Sequence, residues 1–556
     1  METRDAAAML KLTGLLMELH QENEFKAKAL ANASFRLSKS NISTEGLSIP
    51  ELEQQEGISK SIAAKIVEIQ TTGTLKELQE LMLRTPAGLV GMLRVKGLGP
   101  KKVGVIWRGL GIESLHELLY ACNENRLVSL DGFGLKTQEQ VLKAVEFTLM
   151  NTGYYHYAAV LSTAEALFDL LQKSNPNLLF SFTGALRRKA ETLTHIELLV
   201  GMDETQSIHL PADAKDTQEA VYETNRISFH TAQQIPVVVH RCSKTDFTRV
   251  LFEGSAHPNH LEKIGYTHST TFFENEETIY KTLGLPYIVP EMREGAEELE
   301  FVKKHNNHDL VTQADLRGVL HNHSTYSDGL NTLREMAQAC KAQGYSYFSI
   351  CDHSQTAVYA GGLKPERVLE QHREIDTLNK ELAPFKIYKG IESDILSDGA
   401  LDYTPELLST FDMVVASIHA NLKMDEAKAT ARLLKAIENP YTTILGHPTG
   451  RLLLAREGYP IDHKKIIDAC AKHAVVIELN AHPYRLDLDW RWIHYAQACG
   501  VLISINPDAH SINGLDMQFG VYSARKGGLL KSSCFNAFSL EKMEAHLLQK
   551  KGNAKG

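Results

Sequence analysis

Seven times between residues 316 and 510, a short apolar or β-branched run ends in a histidine or carboxylate, and helix-like sequence follows. The first is GVLHNHSTYSDG (residues 318–329), which holds His321 and His323 as an H-x-H pair with Asp328 close behind. Alternate residues of a strand face the same way, so the two imidazoles point to one side. Two imidazoles and a nearby carboxylate make half of a transition-metal site. Alone, an H-x-H is weak evidence, but the pattern recurs. YSYFSI leads to Asp352 and His353, FKIYKGI to Glu392 and Asp394, MVVASI to His419, and TTILG to His447. AVVI leads to Glu478 and Asn480, and VLISINP to Asp508 and His510. Residues 330–343, 364–382, 426–438 and 463–473 carry helical character between these runs. Strands alternating with helices predict a parallel sheet. Ligands at the C-terminal ends of the strands predict a β/α barrel with its site on that face. Core histidines placed independently would not fall in phase with the strands.

The front of the chain has a different logic. Residues 1–150 read as helical, with three short hairpins, each leading into a lysine-bearing helix. They are Gly57-Ile58-Ser59 before Lys60 and Lys65, Gly97-Leu98-Gly99 before Lys101 and Lys102, and Gly132-Phe133-Gly134 before Lys136. A glycine hairpin between helices lets backbone N–H groups face a phosphate that a side chain would block. Three such hairpins predict a grip on the DNA backbone that reads no sequence.

Composition sets outer bounds. At 556 residues the chain needs several cores. A net charge of −9 does not by itself suggest a nucleic-acid binder, but local patches decide that question. Seven scattered cysteines without a C-x-x-C predict reduced thiols and a cytosolic protein. No apolar run is long enough to span a bilayer, so no membrane partner is expected. The expected state is a monomer.

HNHSTYSDG, CDHS, GIESDI, SIHANL, GHPTGRLL and NPDAH, in this order, resemble the successive motifs of the PHP (polymerase and histidinol phosphatase) domain, in the version fused to bacterial family-X DNA polymerases. The resemblance implies a distorted seven-stranded (β/α) barrel over residues 319–556. It also implies up to three metal ions held by His321, His323, Asp328, His353, Glu392, His419, His447, Asp508 and His510. The front resembles that family too. Residues 1–90 are similar to its lyase-like helical domain, with FKAKAL in place of FKxRAY, and 91–150 to its helix-hairpin-helix fingers. Residues 151–250 resemble the α/β palm, 251–300 the thumb (through TLGLPYIVPEMREG), and 301–318 read as a linker.

The palm departs from the family where it matters. Where the family has D-x-D, this chain has His195-Ile196-Glu197; Ala185 replaces the serine of G-S; the third aspartate falls near Val238. Nucleotidyl transfer needs two Mg²⁺ clamped by carboxylates, and histidine is a poor ligand for that hard ion. The palm is therefore expected to be a DNA-positioning scaffold without polymerase activity. Arg187, Arg188 and Lys189 would keep a phosphate-binding role.

Mixed N/O ligands suit Mn²⁺, Zn²⁺ or Fe²⁺ better than Mg²⁺. Clustered cations acidify water and neutralise phosphate oxygens, so no side-chain nucleophile is required. The expected reaction is metal-assisted phosphoester hydrolysis, with Glu392 bridging cations and Arg451 either holding a phosphate oxygen or making a surface salt bridge. Glu478, Asn480 and His482 line the same face. The resemblance implies a DNA-repair 3′→5′ exonuclease acting on gapped DNA or 3′ ends, with 3′-phosphatase or abasic-site incision as further activities, in a bacterial, nucleoid-associated setting. The alternative is a small-molecule phosphatase of the histidinol-phosphate kind with a vestigial front half. With ligands and hairpins far apart in sequence, a fragment starting near Asp315 is expected to hydrolyse small phosphodiesters on its own.

Overall fold

The computed structural model describes the chain except residues 1–2, 40–43, 45, 56–57, 150–152, 211–219, 232 and 554–556. It forms two compact units, residues 1–148 and 149–556.

The first unit is helical. In each hairpin the middle apolar residue is the buried anchor: Ile58, Leu98 and Phe133 are all under 10% exposed. Gly97 and Gly132 take left-handed φ of 88° and 82°, which an L side chain resists. A Cβ added at Gly97, Gly99, Gly132 or Gly134 would meet no protein atom within 4 Å. Ser59 caps the helix Lys60–Thr72 by accepting from Ile62 N, and Gly99-Pro100 opens the helix Pro100–Leu110. Gly57 lies outside the described residues. No described helix is long and apolar enough to cross a membrane.

The second unit holds three sheets. Strands β1 (Tyr155–His156) and β3 (Thr192–Leu193) pair as a small antiparallel ribbon. A five-stranded sheet runs β2 (Leu179–Phe182), β4 (Ile196–Gly201), β7 (Pro236–Cys242), β6 (Arg226–His230), β5 (Val221–Tyr222), with β4 and β7 parallel. Its register sets Glu197 directly opposite Val238.

The other sheet has seven parallel strands in sequence order: β8 (Gly318–Val319), β9 (Tyr347–Ile350), β10 (Lys386–Asp394), β11 (Met413–Ser417), β12 (Ile444–Leu445), β13 (Val476–Asn480) and β14 (Ile503–Asn506). A parallel bridge between Asn322 and Ala509 brings the first and last strands together. The strand period of two sorts the core. Val414, Leu445 and Ile477 pack under the surrounding helices, while their neighbours Val415, Ile444 and Val476 fill the interior with Leu320, Cys351 and Phe535. Glu392 and Glu478 follow Ile391 and Ile477 in this alternation and share the interior phase.

Two polar segments dock on the core. Within the linker 301–318, Phe301, Val302, Leu310 and Val311 are buried, and Val311 N donates to Leu529 O at 2.9 Å. Apolar residues spaced among the polar ones dock the segment. Near the C-terminus the helix Leu540–Asn553 sets Met543 and Leu547 in the barrel core and pairs Lys551 with Asp412.

Candidate metal centre

Every ligand expected in the barrel arrives at the C-terminal end of a strand or just beyond it, and Glu392 on β10 is the hub. Its carboxylate oxygens lie 3.0–3.7 Å from ring nitrogens of His321, His323, His353, His419 and His447. Asp508 approaches His323 Nε2 at 3.0 Å and His321 Nε2 at 3.5 Å. Asp328 lies 3.6 Å from His353 Nε2 and 3.5 Å from His510 Nε2. Within the barrel, three groups bring ligand atoms within 4.8 Å of one another: His323/Asp328/His353/His510, His321/His323/Asp508 and His353/Glu392/His419. Asp508 holds φ at 54°, a strained conformation for a side-chain-bearing residue at a functional position.

The donor chemistry fits divalent cations. His321 Nε2, His323 Nδ1, His353 Nδ1 and Glu392 Oε2 are buried and make no hydrogen bond, although oxygens and nitrogens crowd around them. Buried polar atoms left so are rare, and cation coordination satisfies them. Burial, reinforced by neighbouring His510 and His353, lowers the His323 pKa to about 3, so it stays neutral as a ligand must. Burial alone would raise the Glu392 pKa, but His419, His321 and His353 outweigh it and hold it well below the usual range.

Supporting carboxylates orient the imidazoles. Glu478 Oε2 accepts from His321 Nδ1 at 2.7 Å, and Asp394 Oδ1 from His419 Nδ1 at 2.6 Å. Both hydrogen bonds leave the Nε2 atoms toward Glu392. Asn480 Nδ2 donates to Asp508 Oδ2 at 3.0 Å, and Asn480 Oδ1 accepts from the His482 backbone N–H. Asp352, a possible ligand by its place in the sequence, is a clasp. It accepts from Ser324 and Ser327, backbone and side chain, and from Gln371, fixing the turn that carries Asp328.

The arginine at the centre is not the one expected. Arg451 is spent on Asp489 (2.7 Å), Glu191 (2.5 Å) and the carbonyls of Arg485 and Leu486. Its fork is taken up by protein acceptors, which favours the salt-bridge alternative over the phosphate-holding one. Arg485 instead sets Nη1 3.5 Å from Asp508 Oδ2. Nothing in HPYRLD marks Arg485 as the inward residue. His305 and His308 lie outside the cluster.

In the five-stranded sheet, Glu197 Oε1 lies 3.5 Å from His195 Nε2 and 3.4 Å from His240 Nε2, and Glu197 Oε2 accepts from Ala185 N at 3.3 Å. Burial works against ionisation of Glu197, but the two histidines outweigh it and hold the pKa far below the carboxylate range. Gly184 is required here, since an added Cβ would lie 1.7 Å from Glu197 Oε2. His240, beyond Val238 on β7, was not singled out in the sequence. The triplet expected to bind phosphate is also committed. Arg187 forks onto Glu276, Arg188 pairs with Glu294, and Lys189 lies over the Tyr522 ring. In the hairpins, Lys60, Lys101 and Lys102 are exposed, whereas Lys65 is paired with Glu77.

A buried histidine–carboxylate centre at the mouth of a parallel barrel, in a chain that also carries helix-hairpin-helix elements, defines a metal-dependent phosphoesterase. Residues 320–482 match the family model described as the PHP domain, and residues 90–146 match the SAM-like helix-hairpin-helix tandem. The chain is 34% identical to "DNA polymerase/3'-5' exonuclease PolX" of Bacillus subtilis (strain 168), over 98% of this chain and 99% of that protein. A "Probable phosphatase" of Acetivibrio thermocellus is 27% identical over 34% of this chain and 78% of its own length. Another, from Caldanaerobacter subterraneus, is 29% identical over 30% of this chain and 63% of its own length. The chain belongs to the bacterial family-X DNA polymerases that carry a C-terminal PHP domain.

Proposed function

We propose that this protein is a DNA-repair 3′→5′ exonuclease whose barrel hydrolyses the phosphodiester, whose hairpins hold the DNA backbone, and whose palm no longer polymerises. The observation that carries the reading is the gathering of nine histidines and carboxylates with Glu392 at their hub. Up to three Mn²⁺, Zn²⁺ or Fe²⁺ ions held there would neutralise phosphate oxygens and make water acidic enough to attack near neutral pH. The chain's own side chains aim the ligands: Glu478 fixes His321, Asp394 fixes His419, and the Asp352 clasp fixes Asp328. Gly57, Gly97, Gly99, Gly132 and Gly134, with Lys60, Lys101 and Lys102, are the proposed backbone contacts. In this reading residues 1–90 and 91–150 are the lyase-like and fingers-like modules, and 151–250 and 251–300 the palm and thumb. The Bacillus relative's name supports DNA as the substrate class.

Loss of polymerisation rests on the palm. With Ala185, His195 and Val238 at the other motif positions, Glu197 is the one carboxylate that the motif keeps where two Mg²⁺ would be clamped. The phosphatase relatives favour a second reading, hydrolysis of small phosphomonoesters by the barrel. Incubation of purified protein with Mn²⁺ and end-labelled gapped or 3′-recessed DNA, with and without dNTPs, tests both. Shortening from the 3′ end without extension is expected. Primer extension would overturn the palm assignment. Intact DNA beside rapid p-nitrophenyl phosphate hydrolysis would favour the phosphatase.

A further inference from the structure

The palm reaches the barrel through its smallest element. In the ribbon of β1 and β3, His156 pairs with Thr192, and Tyr157 N donates to Glu191 O at 3.1 Å. His156 and Glu191 therefore leave the palm side by side. Glu191 Oε1 accepts from Arg451 Nη2 at 2.5 Å. His156 Nε2 lies 2.9 Å from Leu453 O, and its ring centroid is 4.2 Å from that of Tyr484.

Those contacts land on two loops that shape the metal centre. Residues 446–458 follow β12 and begin with the ligand His447. Residues 481–489 follow β13 and fold back on it: Asn480 N donates to Asp487 O at 2.6 Å, and Leu488 N to Glu478 O at 3.0 Å. That return carries Arg485 to Asp508. Arg451 stitches the loops together, donating from the first to Arg485 O and Leu486 O in the second. Leu453 N adds a bond to Tyr484 O at 2.8 Å, and Thr449 N one to Asp487 Oδ2 at 3.0 Å. Each loop holds a leucine in the left-handed region, Leu454 at φ 62° and Leu486 at φ 49°. Such backbone persists only when its surroundings over-determine it.

We propose that Glu191 and His156 are positioning residues for hydrolysis in the barrel, acting through Arg451 and Tyr484 on the loops that carry His447 and Arg485. This rests on the reading of the barrel as a phosphoesterase. A half-buried guanidinium deprived of one of its two carboxylates is less well compensated and re-seats. The two strained loops then relax, and displacements on the order of 1 Å at a catalytic centre cost up to about 100-fold in rate. The palm without polymerase carboxylates keeps a task, which is to hold the mouth of the barrel.

The test uses the full-length protein, Mn²⁺ and bis-p-nitrophenyl phosphate, a substrate that needs no DNA grip. Glu191→Ala is expected to lower kcat about tenfold or more, with KM and the number of bound Mn²⁺ ions unchanged. Glu191→Asp should recover part of the loss, and His156→Phe should lower kcat in the same manner. A wild-type kcat in Glu191→Ala overturns the proposal, as does an Asp variant no better than Ala. If Glu191→Ala does not fold, the near-isosteric Glu191→Gln decides: reduced kcat supports the proposal, and wild-type kcat overturns it. A wild-type protein that fails to cleave the diester at all would sink the phosphoesterase reading instead.

Discussion

At the scale of single residues, Glu392 and Asp508 each face several imidazoles, so losing any one neighbour leaves another charge buried without its partner. His321→Ala or Asp508→Ala is expected to abolish Mn²⁺-dependent phosphodiester hydrolysis. Each should also lower the bound-metal count, measured by elemental analysis. Wild-type rates with unchanged metal content would refute the site. Glu478→Ala removes only the acceptor that aims His321, so a milder loss of about 10–100-fold in metal affinity or rate is expected. The clustering of these residues was legible because most of them end a strand or follow it closely, and strand period fixes which way a residue at a strand end faces. The arginines were not. Arg451 and Arg485 both lie in loops, where no periodicity says which one turns toward the centre. Asp352 and Asp394 sit among ligand-type residues, and only their partners mark them as supports. His240 was hidden for another reason: its partner Glu197 lies on a strand adjacent in space and 43 residues away in sequence.

At the scale of elements, residues 276–293 are tied to the five-stranded-sheet region by a triad centred on Glu276. Arg187 and Arg293 both fork onto Glu276, with N–O distances of 2.7–3.0 Å. Burial would raise the Glu276 pKa, but the two arginines outweigh it and hold it at about 2, against an ordinary 4.5. A carboxyl depressed on folding stabilises the fold fully above its unfolded pKa, and that stability is lost as pH falls through the folded value. Thermal stability should therefore drop between about pH 4.5 and pH 2, by on the order of 3 kcal/mol from this group. Glu276→Gln should lower stability at pH 7 and flatten that acid limb. An acid limb unchanged in the variant would exclude the triad as its source. The sequence assigned this arginine to phosphate because a basic run reads as a surface. It does not report that Glu276, 89 residues on, is its partner. The barrel strands and hairpins were readable because their signals are local. The docking of residues 301–318 and of the C-terminal helix depends on distant core residues.

At the scale of the molecule, affinity and chemistry separate along the chain. Lys101→Glu with Lys102→Glu should weaken DNA binding and make its salt dependence shallower by roughly 0.9 per lost phosphate contact, with small-diester hydrolysis unchanged. Equal loss of both activities would mean that the hairpin does not act through DNA. The barrel is, however, tied to the preceding α/β region by contacts the sequence did not report. A fragment starting at Asp315 would lose Glu191, Glu291 and Glu294, the partners of Arg451, Arg525 and Lys526. It would also strip Tyr157 from Phe519 and Tyr522. Cutting the chain there leaves three charged side chains without their partners and bares the apolar surface they frame, which lowers stability and favours aggregation. The fragment is expected to be insoluble or partly unfolded and inactive even on bis-p-nitrophenyl phosphate. A fragment starting near residue 149 keeps every one of these pairs and should hydrolyse the small ester at a near-wild-type rate while binding DNA weakly. Circular dichroism and rates for the two fragments, measured side by side with Mn²⁺, check this; a folded, fully active fragment from Asp315 would show that the palm contacts are dispensable.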